Sequence, residues 1–421
     1  MESLNRLFLF SVTITLSLIM GGCGSDDAAI TPAENNTYAT TSSKGDYSEW
    51  TIVGNQLDAI LNVVSTTGEI EYTFTIDAAC AAPNSFGVRS CTIANSSCAD
   101  GTLVCPAAPT GIFEMMDVPG VALFVNIGSG ASEQLHVGFA KDNGACIQDV
   151  SGDYTMIHTG LGLAENFGMY RSDADFLDIM HSDFGFASPD MNVTTQTVVY
   201  TTGTEAELLT DNGCVNGVRT RGLGGGDVIR SMMTNSGLFV LDFPAGQGGL
   251  ISFKTSNAAT LADFANKSFG GISFPDAGDV AAVSAVFGPV TGSQVDFTVS
   301  SSVSPGTETQ SIMALATTAM VAAPAYPDFS VAPTTAPGGD YTATNLYMDY
   351  ASPAAIPGMF KLDGMSDSGR VIIAAMKFNS KVIGVGMVYN WRTTAQINPA
   401  TGVAFTADGL YNTGNFIIFE K

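Results

Sequence analysis

The apolar residues of this chain recur with a period of two, and that alternation restricts the fold more than any other feature. In Glu69 to Asp77, Ile70, Tyr72, Phe74 and Ile76 alternate with Glu71, Thr73, Thr75 and Asp77. Val295, Phe297 and Val299 alternate with Asp296, Thr298 and Ser300 in the same way. Successive side chains of a strand point to opposite faces, so these stretches are half-buried strands. Unbroken apolar runs, Val121 to Ile127, Arg370 to Phe378 and Lys381 to Trp391, read as strands covered on both faces. Helical periodicity is scarce, and its best short candidate is Thr260 to Asn266, opened by a polar capping residue. The expected fold class is all-β, built as tandem antiparallel β-sandwich or small β-barrel modules.

A recurring motif suggests how many modules there are. Gly111-Ile112-Phe113, Gly237-Leu238-Phe239 and Gly358-Met359-Phe360 each run on to an aspartate, Asp117, Asp242 or Asp363, and then to a glycine and an apolar strand. Their first glycines stand 126 and 121 residues apart, at 111, 237 and 358. A near-constant period of this length is the mark of a three-fold internal repeat; the alternative is a common strand entry in a glycine-rich β protein. The repeat divides the chain into β modules over 49–151, 152–267 and 268–421, the last with a proline-rich insertion near 324–337.

The amino terminus carries an address. Arg6 is followed by an uncharged apolar run from Leu7 to Met20, too short for an ordinary transmembrane helix but suited to a secretory signal. The run closes on Met20-Gly21-Gly22-Cys23. This resembles the lipobox of bacterial lipoproteins, in which the signal is cut before the cysteine and its thiol is lipidated. The resemblance covers the signal only. It implies a signal peptide over 1–22, a lipid anchor on Cys23, palmitate among its acyl chains, and a membrane as partner through that anchor. Residues 23–48, polar and without apolar periodicity, are expected to be a flexible tether reaching roughly 25 to 30 Å. In such lipoproteins an aspartate directly after the cysteine holds the protein at the inner membrane; Gly24 stands there instead, which points to the outer membrane.

Charge narrows the partners. Of 421 residues, 40 are acidic and 16 basic, a formal net charge of −24 that loss of Glu2 and Arg6 with the signal leaves unchanged. A nucleic-acid role needs a basic footprint and none exists. Only 13% of residues are charged while 46 are glycine, a balance typical of exported β proteins.

Six cysteines follow Cys23, and an even number in an exported chain reads as disulfides. Cys80, Cys91, Cys98 and Cys105 lie in one stretch, at spacings that match no familiar zinc pattern, and are expected to bridge locally. Cys146 and Cys214 each follow an Asp-Asn-Gly turn, and elimination leaves them to each other.

Catalytic signatures are missing: no G-x-S-x-G elbow, no H-E-x-x-H and no G-x-x-x-x-G-K-[ST] loop occurs. The chain has three histidines, His136, His158 and His181; His158 shares a strand face with Tyr154 and Met156 and reads as a core residue. Asp173, Asp175, Asp178, His181 and Asp183 gather oxygen ligands that suit Ca²⁺, although the spacing is not an EF-hand and an exposed acidic loop is the simpler reading. The 17 methionines fill core or line a ligand cavity. The expected function is a non-enzymatic ligand-binding, adhesion or structural role in the cell envelope, with a protein or small molecule as ligand. The alternative is a carboxylate-based envelope hydrolase directed at glycans, which needs only two carboxylates about 5 to 10 Å apart in a cleft.

Overall fold

The structure, a computed structural model, describes residues 36–316 and 355–421 except for short connecting segments, the longest of them 159–166 and 187–197. The residues 1–35, which include Cys23, and the proline-rich insertion lie outside it.

The first eight strands are β1 (Asn36–Ser42), β2 (Tyr47–Val53), β3 (Gln56–Val64), β4 (Ile70–Cys80), β5 (Arg89–Asp100), β6 (Ile112–Val118), β7 (Ala122–Ile127) and β8 (Gln134–Ala140). They pair in sequence order and β1 closes on β8, giving an antiparallel barrel. Ten more follow: β9 (Gly152–His158), β10 (Phe167–Ser172), β11 (Asp178–Phe186), β12 (Val198–Tyr200), β13 (Glu205–Leu208), β14 (Thr210–Val215), β15 (Val218–Gly222), β16 (Val228–Met233), β17 (Leu238–Asp242) and β18 (Gly249–Lys254). They form an open sheet in the order β12-β11-β10-β9-β18-β17-β16-β15-β14, with β13 beside β11.

A four-residue helix, α1 (Leu261–Phe264), leads into β19 (Ser268–Pro275), β20 (Ala281–Thr291), β21 (Gln294–Ser301), β22 (Thr307–Ala316), β23 (Ala355–Asp363), β24 (Gly369–Phe378), β25 (Lys381–Arg392) and β26 (Gly409–Glu420). These close into a second barrel through β19 and β26. The fold is therefore all-β. Closure removes exposed sheet edges, which a free strand as apolar as Asn415–Glu420 would otherwise present.

The unbroken apolar runs are the strands with two buried faces. On β24, Val371, Ile373 and Ala375 point into the barrel, while Ile372, Ala374 and Met376 join a core shared by all three sheets. On β7, Leu123 and Val125 face the first lumen, and Ala122 and Phe124 join the same shared core. That core also takes Met116, Met232, Met359 and Met387, so these methionines pack between sheets. Long flexible thioethers suit the irregular gaps between curved surfaces.

Two expectations change. Residues 36–48, assigned to the tether, form β1 and the start of β2. Their hydroxyls made them read as solvated, but Thr40, Ser42 and Ser48 are buried with partners in the barrel itself and Thr41 with Asp242 of the open sheet. The motif glycines Gly111, Gly237 and Gly358 all have positive φ, the conformation that makes glycine cheapest there. They belong, however, to the sixth strand of the first barrel, the ninth of the sheet and the fifth of the second barrel. The motif marks a way of entering a strand and does not mark equivalent strands.

Candidate functional site

The two barrels differ in what fills them. The first lumen holds the large buried side chains Tyr38, Trp50, Phe113, Met115, Leu123 and Val125. Trp50 Nε1 donates to Ser48 Oγ at 2.8 Å, and the same hydroxyl lies 2.8 Å from His136 Nδ1. His136 is fully buried, and burial pushes its pKa down to about 3, so the imidazole is neutral. Sealed from solvent, this Ser–His contact has no access to a substrate.

The second lumen is hollow. One end is stoppered by α1, whose Phe264 is fully buried and packs on Phe269, Phe287 and Phe360 at ring distances of 5.4, 5.2 and 5.1 Å. Thr260 caps the helix: Asp263 Oδ2 accepts from its backbone N–H at 2.7 Å and from its hydroxyl at 2.7 Å. Toward the other end lies a cavity of about 70 Å³. Val283, Ala285, Phe287, Phe297, Val299, Leu362, Val371, Ile373, Val388, Phe416 and Ile418 line it, and its only polar borders among the described residues are Ser273 and Gln310. Gly386 on β25 makes room for one wall residue: the Phe416 ring lies where a Cβ would stand. Among the described residues no methionine lines the cavity. A second hollow of about 10 Å³, between the first barrel and the open sheet beside Ala39 and Met232, has room for a single water at most.

Disulfides join Cys80 to Cys91, Cys98 to Cys105 and Cys146 to Cys214, with Cα separations of 3.9, 5.9 and 6.2 Å. Cys80 and Cys91 are direct cross-strand neighbours on β4 and β5. Asp173 and Asp175 lie outside the described residues, while Asp178, His181 and Asp183 are strand residues of β11. Among the described residues no group of three acidic, histidine or cysteine side chains could hold a metal ion. His158 stacks on Phe243 at 5.2 Å.

A buried carboxyl was not foreseen. Asp242, at the end of β17, accepts a hydrogen bond from Thr41 through Oδ1, and its Oδ2 has no hydrogen-bond partner. Burial raises its pKa well above the usual carboxylate value. The Thr41 bond and the charge of Arg230 oppose that shift, while the charge of Asp46 adds to it.

The fold and the cavity define a protein of closed β-barrels whose C-terminal lumen is apolar and hollow. No protein-family model matches the chain, and no curated protein matches it. Among solved structures it is similar to isotype 1 transferrin binding protein B from serogroup B Neisseria meningitidis, at 10% identity and a TM-score of 0.22. That likeness covers 90% of this chain and 66% of the other, and at this level it assigns neither family nor ligand.

Proposed function

We propose that the protein is a cell-envelope lipoprotein with a non-enzymatic binding role, anchored through Cys23 to the outer membrane, and that its C-terminal barrel is the ligand site. The observation that carries the reading is the apolar cavity of about 70 Å³ inside that barrel. Protein interiors are close-packed, and a cavity costs stability in proportion to its size, so an unfilled apolar space inside one of two barrels calls for an occupant. The wall supplies shape and apolar surface, as in barrels that hold one small ligand. The anchor rests on the lipobox resemblance.

The test is mass spectrometry of the full chain purified from its own envelope in mild detergent. The expected result is an acylated N-terminal peptide beginning at Cys23 and a small apolar molecule released on denaturation. An unmodified Cys23, or a barrel that carries no molecule and binds none when offered, would overturn the corresponding half of the reading.

A further inference from the structure

We propose that the C-terminal barrel takes its ligand tail first: the methyl end of an alkyl or acyl chain enters the lumen, and any polar or charged head group stays outside it. This rests on the reading of that barrel as the ligand site and adds the chemical class and the orientation of what enters.

Three observations carry it. First, Phe264 and its aromatic partners close the end nearest α1, so entry is from the other side. Second, no lining side chain among the described residues is charged, and the floor nearest the stopper is Phe287 and Phe297, stacked at 4.7 Å. An ion placed there would lose its hydration and gain no charged partner. Of the two polar borders, both neutral, Ser273 faces Ala281 at the start of β20, in the half of the barrel away from α1, and the Gln310 amide stands opposite Phe297 across β21 and β22.

Third, size decides between a whole ligand and the end of one. A cavity of 150 Å³ holds benzene, so about 70 Å³ has room for about three carbon atoms. Even at the best efficiency known for tiny ligands, a molecule of that size would bind at about millimolar strength. A useful ligand must therefore be longer than the cavity and lend it only an end. An unbranched chain has such an end, and one that matches the lining.

The experiment titrates the full chain with straight-chain alcohols of increasing length, and with alkylamines and alkanoates of the same lengths, below their micelle concentrations. Binding is read by calorimetry and by saturation-transfer NMR. Tail-first entry predicts affinity rising about fourfold per methylene until the lumen fills, a similar length dependence for all three head groups, and the strongest saturation at the terminal methyl. Ala285→Leu and the milder Val299→Ile fill the lumen and are expected to weaken binding at least tenfold without lowering the melting temperature. Val286→Leu, on the outer face beside Ala285, is expected to bind as wild type. If no probe binds wild type, the barrel is not the ligand site and the proposed function falls. If probes bind but head-group protons saturate most, or the filled variants bind as wild type, only the tail-first reading falls.

Discussion

Thr41 Oγ1, on the first strand of the first barrel, donates a 2.7 Å hydrogen bond to Asp242 Oδ1 on the open sheet, 201 residues further along the chain. Gly249 packs against the same threonine, and nearby Val228 N–H donates to Thr67 C=O at 2.9 Å and Arg230 Nη2 to Gly68 C=O at 2.7 Å. The barrel is thus held to the sheet by several polar contacts beside the shared apolar core. Thr155 Oγ1 ties the sheet to the second barrel in the same way, donating to the Pro357 carbonyl at 2.7 Å.

That contact makes stability depend on pH. Burial is the main reason that Asp242 holds its proton to higher pH than an ordinary carboxyl, and Asp46, Tyr47 and Arg230 are the titratable and charged groups around it. The unfolded chain ionises near pH 4, and the folded one later. The contribution of the neutral carboxyl is therefore complete below about pH 4 and is lost as pH rises through the folded value, at no more than about 1.4 kcal/mol per pH unit. In Asp242→Asn, which keeps an acceptor for Thr41, that loss is expected to vanish, so the variant gains on wild type as pH rises. Denaturant titrations at pH 4, 6 and 8 check this; an asparagine variant weaker by a constant amount would mean that Asp242 is ionised and paired with Arg230.

His136 acts in the opposite sense. Its pKa is pushed down to about 3 by burial, against about 6.5 in the unfolded chain. Its neutral form supports the fold fully above about pH 6.5, and that support is lost as pH falls toward 3. His136→Leu is expected to flatten the acid limb of the stability curve by a few kcal/mol, while costing something at pH 7 through the lost contact with Ser48. Urea unfolding of the two proteins between pH 3 and 8 separates the effects.

Much of the architecture is legible in the sequence because alternation is local. On β4 only the part from Ile76 onward alternates in burial and Ile70 is exposed, whereas β21 and β24 announce their faces residue by residue, and β24 even announces a second buried face. β1 does not, because Asn36-Thr37-Tyr38-Ala39-Thr40-Thr41-Ser42 has the composition of a solvated linker. Its hydroxyls are buried only because Ser48, Trp50 and Asp242, remote or on other strands, meet them. The cavity leaves no local sign either. Val295, Phe297 and Val299 alternate as the residues of a packed lumen would, and whether space remains depends on volumes summed over eight strands, including Ala285 on β20.

The disulfides are expected to differ in weight according to the loops they close. Cys146–Cys214 spans 68 residues and Cys98–Cys105 only seven. In the chain-entropy account, removing the first costs about 4 kcal/mol and the second about 2.5 kcal/mol. Paired serine variants, compared by guanidinium unfolding, should rank in that order. Equal losses would show that local strand packing, rather than loop closure, sets the contribution.

Phe264 is expected to be the most costly single truncation around the second lumen. It is fully buried at the end of a helix too short to stand alone, so its ring stacking is what holds α1 in the barrel mouth. Phe264→Ala would remove the contacts to Phe269, Phe287 and Phe360 together and extend the existing cavity toward the opened end, at a cost of about 3–5 kcal/mol. Two measurements check it: the midpoint of chemical unfolding, which should fall, and hydrogen exchange of the β19 and β20 amides, which should quicken while β1–β8 stay protected. If the loss is under 1 kcal/mol, α1 is an ornament on a barrel already closed by its own strands, and the lumen is open at both ends once the ring is gone.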